Sequence, residues 1–223
     1  MFNPTTRENK INPKFINIFF NCNELVKNNI LLLTVLFFFN TSILTIFNNY
    51  PVRPDELWYL ENLMYPAENK KLFFRFYHFY FGKLLSFILD NSLIAAKYCS
   101  IFFTNLIIIF SYKISMLNTN SKFISGLCAL VVSTYPYLLI LSSNFSTDIT
   151  ATCFAIIYIY IINKIILKKN ANLDYIILGM LLIFGIFSKQ SNIVLVVPTL
   201  MLMYFIKNDF NIKFYLLGIF ASL

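Results

Sequence analysis

Apolar residues in this chain fall into long runs separated by short polar joints. The runs cover roughly residues 29–47, 93–112, 123–142, 149–163, 175–188, 191–206 and 214 onward. A helix needs about 20 apolar residues to cross a bilayer. In lipid only helices and closed barrels keep every backbone polar group paired. Five glycines in 223 residues suit a turn-rich barrel poorly. The pattern therefore predicts an all-α, polytopic transmembrane helical bundle with about seven membrane helices. Residues 73–89 differ: the stretch is aromatic but interrupted by Arg75, His78 and Lys83. It reads as an interfacial, juxtamembrane helix in the first outer loop.

Composition narrows the class. Hydrophobic residues make up 58% of the chain and charged residues only 13%, about half the charged share of a soluble domain. With a mean hydropathy of +0.69, a water-soluble domain is excluded, and so is a solvated disordered chain. The net charge of +8 would suggest nucleic acid in a soluble protein, but here its placement matters more, and no nucleic-acid partner is expected. Cys22, Cys99, Cys128 and Cys153 have no metal-like spacing, and the last three lie in apolar runs, as buried thiols do.

If residues 73–89 lie along the interface, the basic residues sort by side. Arg7, Lys10, Lys14 and Lys27 precede the first run, and Lys113, Lys122, Lys164, Lys168, Lys169, Lys207 and Lys213 fall at alternate joints. That places eleven of the eighteen basic residues on one face, which the positive-inside tendency makes cytoplasmic. Residues 1–28 are then a cytoplasmic leader, with no small-residue cleavage site after the first run. Residues 29–223 form the transmembrane domain, with 48–92 as its first non-cytoplasmic loop. The chain ends inside the apolar run Phe214–Leu223, so a truncated C-terminus is expected.

This topology collects Asp55, Glu56, Glu61, Glu68, Asp90 and Asp148, six of the ten acids, on the non-cytoplasmic face. Arg53, Arg75, His78 and Lys189 join them there. Ionisable groups at the ends of membrane helices are costly and usually retained for function. Each also has a plainer reading. Asp55 and Asp148 would serve as helix caps, Lys189 as a snorkelling lysine, and His78 as filler on an amphipathic helix.

In order along the chain these residues resemble the GT-C membrane glycosyltransferases, which use a sugar carried on a polyprenyl or dolichyl phosphate. The resemblance is to the protein-mannosyltransferase and aminoarabinose-transferase branch. Asp55-Glu56-Leu57-Trp58-Tyr59 matches the acidic Asp-Glu-x-x-Tyr motif after the first helix, and His78-Phe79-Tyr80-Phe81 sits where an interfacial segment follows, without its prolines. The stretch Asp90–Ile114 is similar to a family helix, with Lys97 in place of an arginine. Tyr135–Ile161 resembles a proline-containing helix followed by an Asp, with Pro136 and Asp148. Leu178–Pro198 resembles a glycine-containing helix ending in lysine, with Gly185 and Lys189. Thr147-Asp148 and Lys189-Gln190-Ser191-Asn192-Ile193 are also similar to segments of the dolichyl-phosphate-glucose alpha-1,2-glucosyltransferase family, the alternative reading.

The resemblance implies an inverting glycosyltransferase acting on the non-cytoplasmic side of a bacterial inner membrane or the endoplasmic reticulum membrane. Its partners would be membrane lipid, an isoprenoid-phosphate sugar donor carrying a hexose or pentose, and an acceptor glycan, lipid or protein. Asp55, Glu56 and Asp148 are the expected catalytic residues. Tyr59, Arg75, His78, Lys189 and Gln190 are the expected substrate-binding ones. No cofactor beyond the donor is implied; no metal ligands are indicated, and a divalent cation is left open. A transporter or structural subunit is the competing class. A transporter would want charged groups at mid-membrane or paired broken helices, and neither is visible in the sequence.

Overall fold

The computed structural model of the chain describes residues 29–45, 76–89, 92–144, 146–167, 171–206 and 210–222. Among these residues every regular element is helical: α1 (Asn29–Thr45), α2 (Phe76–Leu89), α3 (Ser92–Thr119), α4 (Lys122–Ser133), α5 (Pro136–Ser143), α6 (Thr147–Ile166), α7 (Asn172–Ser188), a 3₁₀ helix (Gln190–Leu195), α8 (Val196–Phe205) and α9 (Ile212–Ala221). Aliphatic and aromatic side chains that would be insoluble on a water-facing surface, such as Phe37, Tyr204, Phe205 and Phe220, point outward. That is the surface of a helical membrane protein, whose outer residues meet lipid.

The seven apolar runs all become helical, but not as seven uniform spans. Leu93–Thr119 and Thr147–Ile166 are long and apolar enough to cross a membrane, and α4 with α5 makes a third span if the bent pair is counted as one. The seventeen residues of α7 give about 25 Å at 1.5 Å per residue, short of a ~30 Å hydrocarbon core. At fourteen residues, α2 is shorter still and packs against α3.

The observed helices depart from the expected runs at three places. The first apolar run after α2 does not stop at Lys113, because that ammonium rests over the rings of Phe110 (4.9 Å) and Tyr160 (5.9 Å), a favourable site for a cation. α3 therefore continues to Thr119 and turns at Asn120, whose φ of 52° is a left-handed conformation that asparagine tolerates. The expected 113–122 joint shrinks to Asn120 and Ser121, and Ser121 caps α4 by accepting from the Ile124 N–H at 3.3 Å. The run 123–142 breaks before Pro136, which cannot continue a helix it does not start. α4 and α5 are bent by 60° there. Finally, the run 191–206 opens as 3₁₀ helix before becoming α8.

Two long helices organise the packing. α3 shares one apolar cluster with α1 and α4, through Val35, Ile43, Ile108 and Ala129. It shares a second with α2, α5 and α6, through Ala96, Cys99, Leu138, Ile149 and Cys153. α6 then joins a third with α7, α8 and α9, through Tyr158, Leu178, Leu202 and Tyr215. Cys99 and Cys153 are fully buried and outside any disulfide. α7 and α9 cross at Gly179 and Gly218, where each glycine abuts the other helix's backbone: a Cβ on Gly179 would strike the Tyr215 carbonyl, and one on Gly218 the Ile176 carbonyl. Such close approach through small residues is how helices associate in lipid, where apolar burial alone gives no preference for a partner.

Candidate active site

Between Ser143 and α6 the chain turns at one end of the bundle, and α7 ends at the same place. Ser146 caps α6 by accepting from the Asp148 N–H at 3.2 Å. The plain reading of Asp148 as the N-cap is thereby corrected: a shorter side chain two residues earlier does that work. Asp148 occupies the first turn of α6 with its carboxylate left over for another partner. Its own carbonyl accepts from the Thr152 hydroxyl at 2.7 Å.

That partner is Lys189. The backbone leaves the helix at Lys189, with φ −159° and ψ 131°, while its N–H still closes the last turn onto Gly185. The side chain is thus released from α7 and reaches across to α6. Its ammonium donates to Asp148 Oδ1 in an ion pair that is 45% and 34% exposed on the two sides. The geometry is held from below by Asn192. Its buried amide donates to the Ala151 carbonyl (3.0 Å) and the Gly185 carbonyl (3.2 Å), while its own N–H donates to the Lys189 carbonyl (3.0 Å). One side chain therefore ties α6, α7 and the 3₁₀ helix together under the ion pair.

A cleft of about 310 Å³ opens beside this pair. Asp148, Ala151, Thr152, Ala155 and Ile156 of α6 form one wall, Tyr137 and Leu141 of α5 another, and Lys189, Ser191 and Asn192 its rim. It joins an ion pair at its rim to the apolar side chains of Leu141, Ala151, Ala155 and Ile156. Among the described residues no group of three or more His, Cys, Asp or Glu side chains comes together.

Of the residues expected from the sequence, the structure brings Asp148 and Lys189 together. Gln190 stands next to them, exposed at the start of the 3₁₀ helix, and is not part of the cleft lining. His78 is placed on the first turn of α2 by its backbone alone. Asp55, Glu56, Tyr59 and Arg75 lie outside the described residues. Sequence reasoning passed over Asn192 and Tyr137. Asn192 had a visible signal, as the last residue of the polar break Ser188-Lys189-Gln190-Ser191-Asn192 between two apolar runs. Tyr137 had none, since one tyrosine among many in an aromatic-rich chain carries no mark.

The all-helical fold with its apolar outer surface describes an integral membrane protein. Residues 76–223 match the model of the dolichyl-phosphate-mannose-protein mannosyltransferase family, and the chain belongs to that family. It is a membrane glycosyltransferase of the GT-C type, of the class served by dolichyl-phosphate sugars. No curated protein and no solved structure matches the chain.

Proposed function

We propose that the protein transfers a hexose or pentose from a polyprenyl- or dolichyl-phosphate donor to an acceptor hydroxyl on the non-cytoplasmic side of its membrane, with inversion at C1. The acceptor belongs to a glycan, a lipid or a protein. In this topology the seven apolar segments each span the bilayer, and the Asp148–Lys189 pair lies at the outer surface with the first loop.

The single observation behind this reading is the Asp148–Lys189 pair at the rim of an apolar cleft. A departing lipid phosphate gains negative charge as its bond to the sugar breaks, and a fixed ammonium stabilises that charge. Lys189 takes this role, with Arg75 or Arg53 from the loop. Asp148 keeps the ammonium aimed at the rim. Asp55 accepts the proton of the acceptor hydroxyl as its oxygen bonds to C1, and the C1–phosphate bond breaks with its electron pair leaving on the lipid phosphate. Glu56 positions Asp55, while Tyr59, His78 and Gln190 contact the sugar or acceptor.

The test is transfer of labelled sugar from a dolichyl- or polyprenyl-phosphate donor in membranes carrying the wild type, Lys189→Ala or Lys164→Ala. Loss of one stabilising donor lowers turnover by about 10²–10³-fold, so Lys189→Ala should fall in that range while Lys164→Ala keeps its activity per folded molecule. Transfer by Lys189→Ala within about twofold of wild type removes the assignment.

A further inference from the structure

Asn192 joins the two helical turns that carry the ion pair. Its side chain lies under the cleft rim, nine-tenths buried, and its amide donates to the Ala151 carbonyl of α6 and the Gly185 carbonyl of α7. Ala151 stands three residues after Asp148, one turn along the same helix, and Gly185 stands four residues before Lys189, in the last turn of α7. The Asn192 N–H closes the arrangement by donating to the Lys189 carbonyl. Gly185 leaves room for the amide: a Cβ there would approach Asn192 Nδ2 to 3.4 Å. The Gly185 carbonyl accepts from the Lys189 N–H as well, so loss of the amide strands no acceptor on α7.

What these bonds fix is backbone, not the ammonium. The lysine half of the pair is 45% exposed, and an exposed ion pair biases a side chain by a factor of about five or less. Lys189 can therefore leave Asp148 by rotating its own side-chain torsions, while the point from which it reaches stays put. A loose end of α7 would carry the ammonium away with it. Displacing a working group by about 1 Å lowers turnover by as much as about 10²-fold. Resting on the transfer reading, we propose that Asn192 is a positioning residue for that reaction: it acts by holding the Lys189 backbone against the α6 turn that carries Asp148.

The test uses the full chain in lipid nanodiscs and two readouts. The first needs no turnover: acylation of Lys189 by a membrane-impermeant amine reagent, read by mass spectrometry, with Lys164 as internal reference. Asn192→Leu keeps a side chain of similar size but donates nothing, so Lys189 should lose its hold on Asp148. Its acylation should quicken by up to about fivefold, to the rate of Asp148→Asn, with Lys164 unchanged. The second readout is sugar transfer from the labelled lipid-phosphate donor. Asn192→Leu should lower kcat by about 10–10²-fold with KM for the donor within about twofold, and should cause no further loss in a Lys189→Ala background. A residue that served only the fold would instead lower the amount of folded protein and leave kcat per folded molecule intact. Asn192→Ala serves the same assays if the leucine variant is not recovered. Wild-type acylation of Lys189 in these variants, wild-type kcat, or a loss that multiplies with Lys189→Ala overturns the assignment. The transfer reading fails by a different result, wild-type turnover of Lys189→Ala itself, and acylation still reports whether Asn192 holds the turn.

Discussion

Lys189, the residue that ends α7, and Asp148, in the first turn of α6, are ion-paired across forty-one positions of sequence. At the opposite end of the same two helices Lys164 and Asp174 form a second pair at 2.6 Å. The α6–α7 hairpin is thus closed by a lysine and an aspartate at each end, but the two pairs differ in surroundings. The first is open to a cleft and partly exposed. In the second, the carboxylate is 7% exposed and its other oxygen accepts from the Ala171 N–H at 2.7 Å. An exposed pair contributes about 1 kcal/mol or less to stability, so little of the fold depends on Asp148 and Lys189. Exchanging their charges, in Asp148→Lys with Lys189→Asp, should leave thermal unfolding near wild type and still abolish transfer, since the ammonium no longer projects from α7. Recovery of transfer in the exchanged variant would show that only the pair matters and not its orientation.

Lys164→Met tests the other end. Among the described residues it leaves the buried Asp174 carboxylate with the Ala171 N–H as its donor and without the Lys164 ammonium. A wholly buried pair costs about 3–5 kcal/mol when one partner is removed. Lys164 is itself 23% exposed, so a loss of about 2–3 kcal/mol is expected. Unfolding of the detergent-solubilised protein reads this directly, and transfer per folded molecule should stay unchanged. Asp174→Asn, which keeps an acceptor for Ala171, should cost less than Lys164→Met; the reverse order would mean that the charge is not what matters there.

Asp55 carries the most weight in the transfer chemistry. Replacing a general base with its amide removes proton acceptance while keeping size and polarity, and such catalysis is worth about 10²–10⁴-fold. Asp55→Asn should therefore lose transfer by that factor while its abundance in the membrane fraction matches wild type. Near-normal turnover would move the base elsewhere, with Glu56 the next to test.

The helical class, the approximate course of each apolar run and the likeness of the Asp148 and Lys189 segments to a family were legible in the sequence, because lipid imposes one strong rule on backbone pairing. What a single apolar run becomes was less so. Pro136 inside 123–142 marked a break, but the 60° bend depends on how α5 packs through Leu138. Lys113 looked like a helix end because a cation in lipid is costly. Its stabilisers, Phe110 and Tyr160, come from its own helix and from one 47 positions away, and only the second escapes local reading. The ion pair itself was half legible: the topology put both residues on one face, but the contact depends on the backbone turning out of helix at Lys189 and on Asn192 anchoring that turn.

The α7–α9 crossing offers a steric prediction. Because the Gly218 Cα lies against the Ile176 carbonyl and backbone cannot yield as a side chain does, any Cβ must push the helices apart. Overpacking of this kind costs about 1–3 kcal/mol or more. Gly218→Ala should be clearly destabilised and Gly218→Val should fail to reach a protease-resistant state. In contrast, the nearest atoms to a Cβ on Gly126 belong to the Leu31 side chain, which has other rotamers, so Gly126→Ala should be milder. Equal effects at 126 and 218 would mean that the backbone contact is not what limits the crossing.

Asn40 on α1 and Asn105 on α3 supply the last prediction. Their side-chain amides are joined head to tail: Asn40 Nδ2 donates to Asn105 Oδ1 at 3.2 Å, and Asn105 Nδ2 donates back to Asn40 Oδ1 at 2.9 Å. Asn40 Nδ2 also donates to the Leu36 carbonyl of its own helix at 2.8 Å. Both residues sit in apolar runs, where amides have few other partners, and they are half-buried between α1 and α3. Interhelical polar contacts in lipid are worth about 0.6–2 kcal/mol. Either single alanine variant should lose about that much, since it removes both bonds of the pair and strands the remaining amide. The double variant strands nothing. Its loss should therefore be close to that of one single variant and well below the sum of the two, giving a coupling on the order of 1 kcal/mol. Full additivity in that cycle would mean that the two asparagines stabilise their helices separately, each through its own backbone. α1 would then be held to α3 by the apolar cluster that includes Val35, Phe39, Ile43 and Ile108.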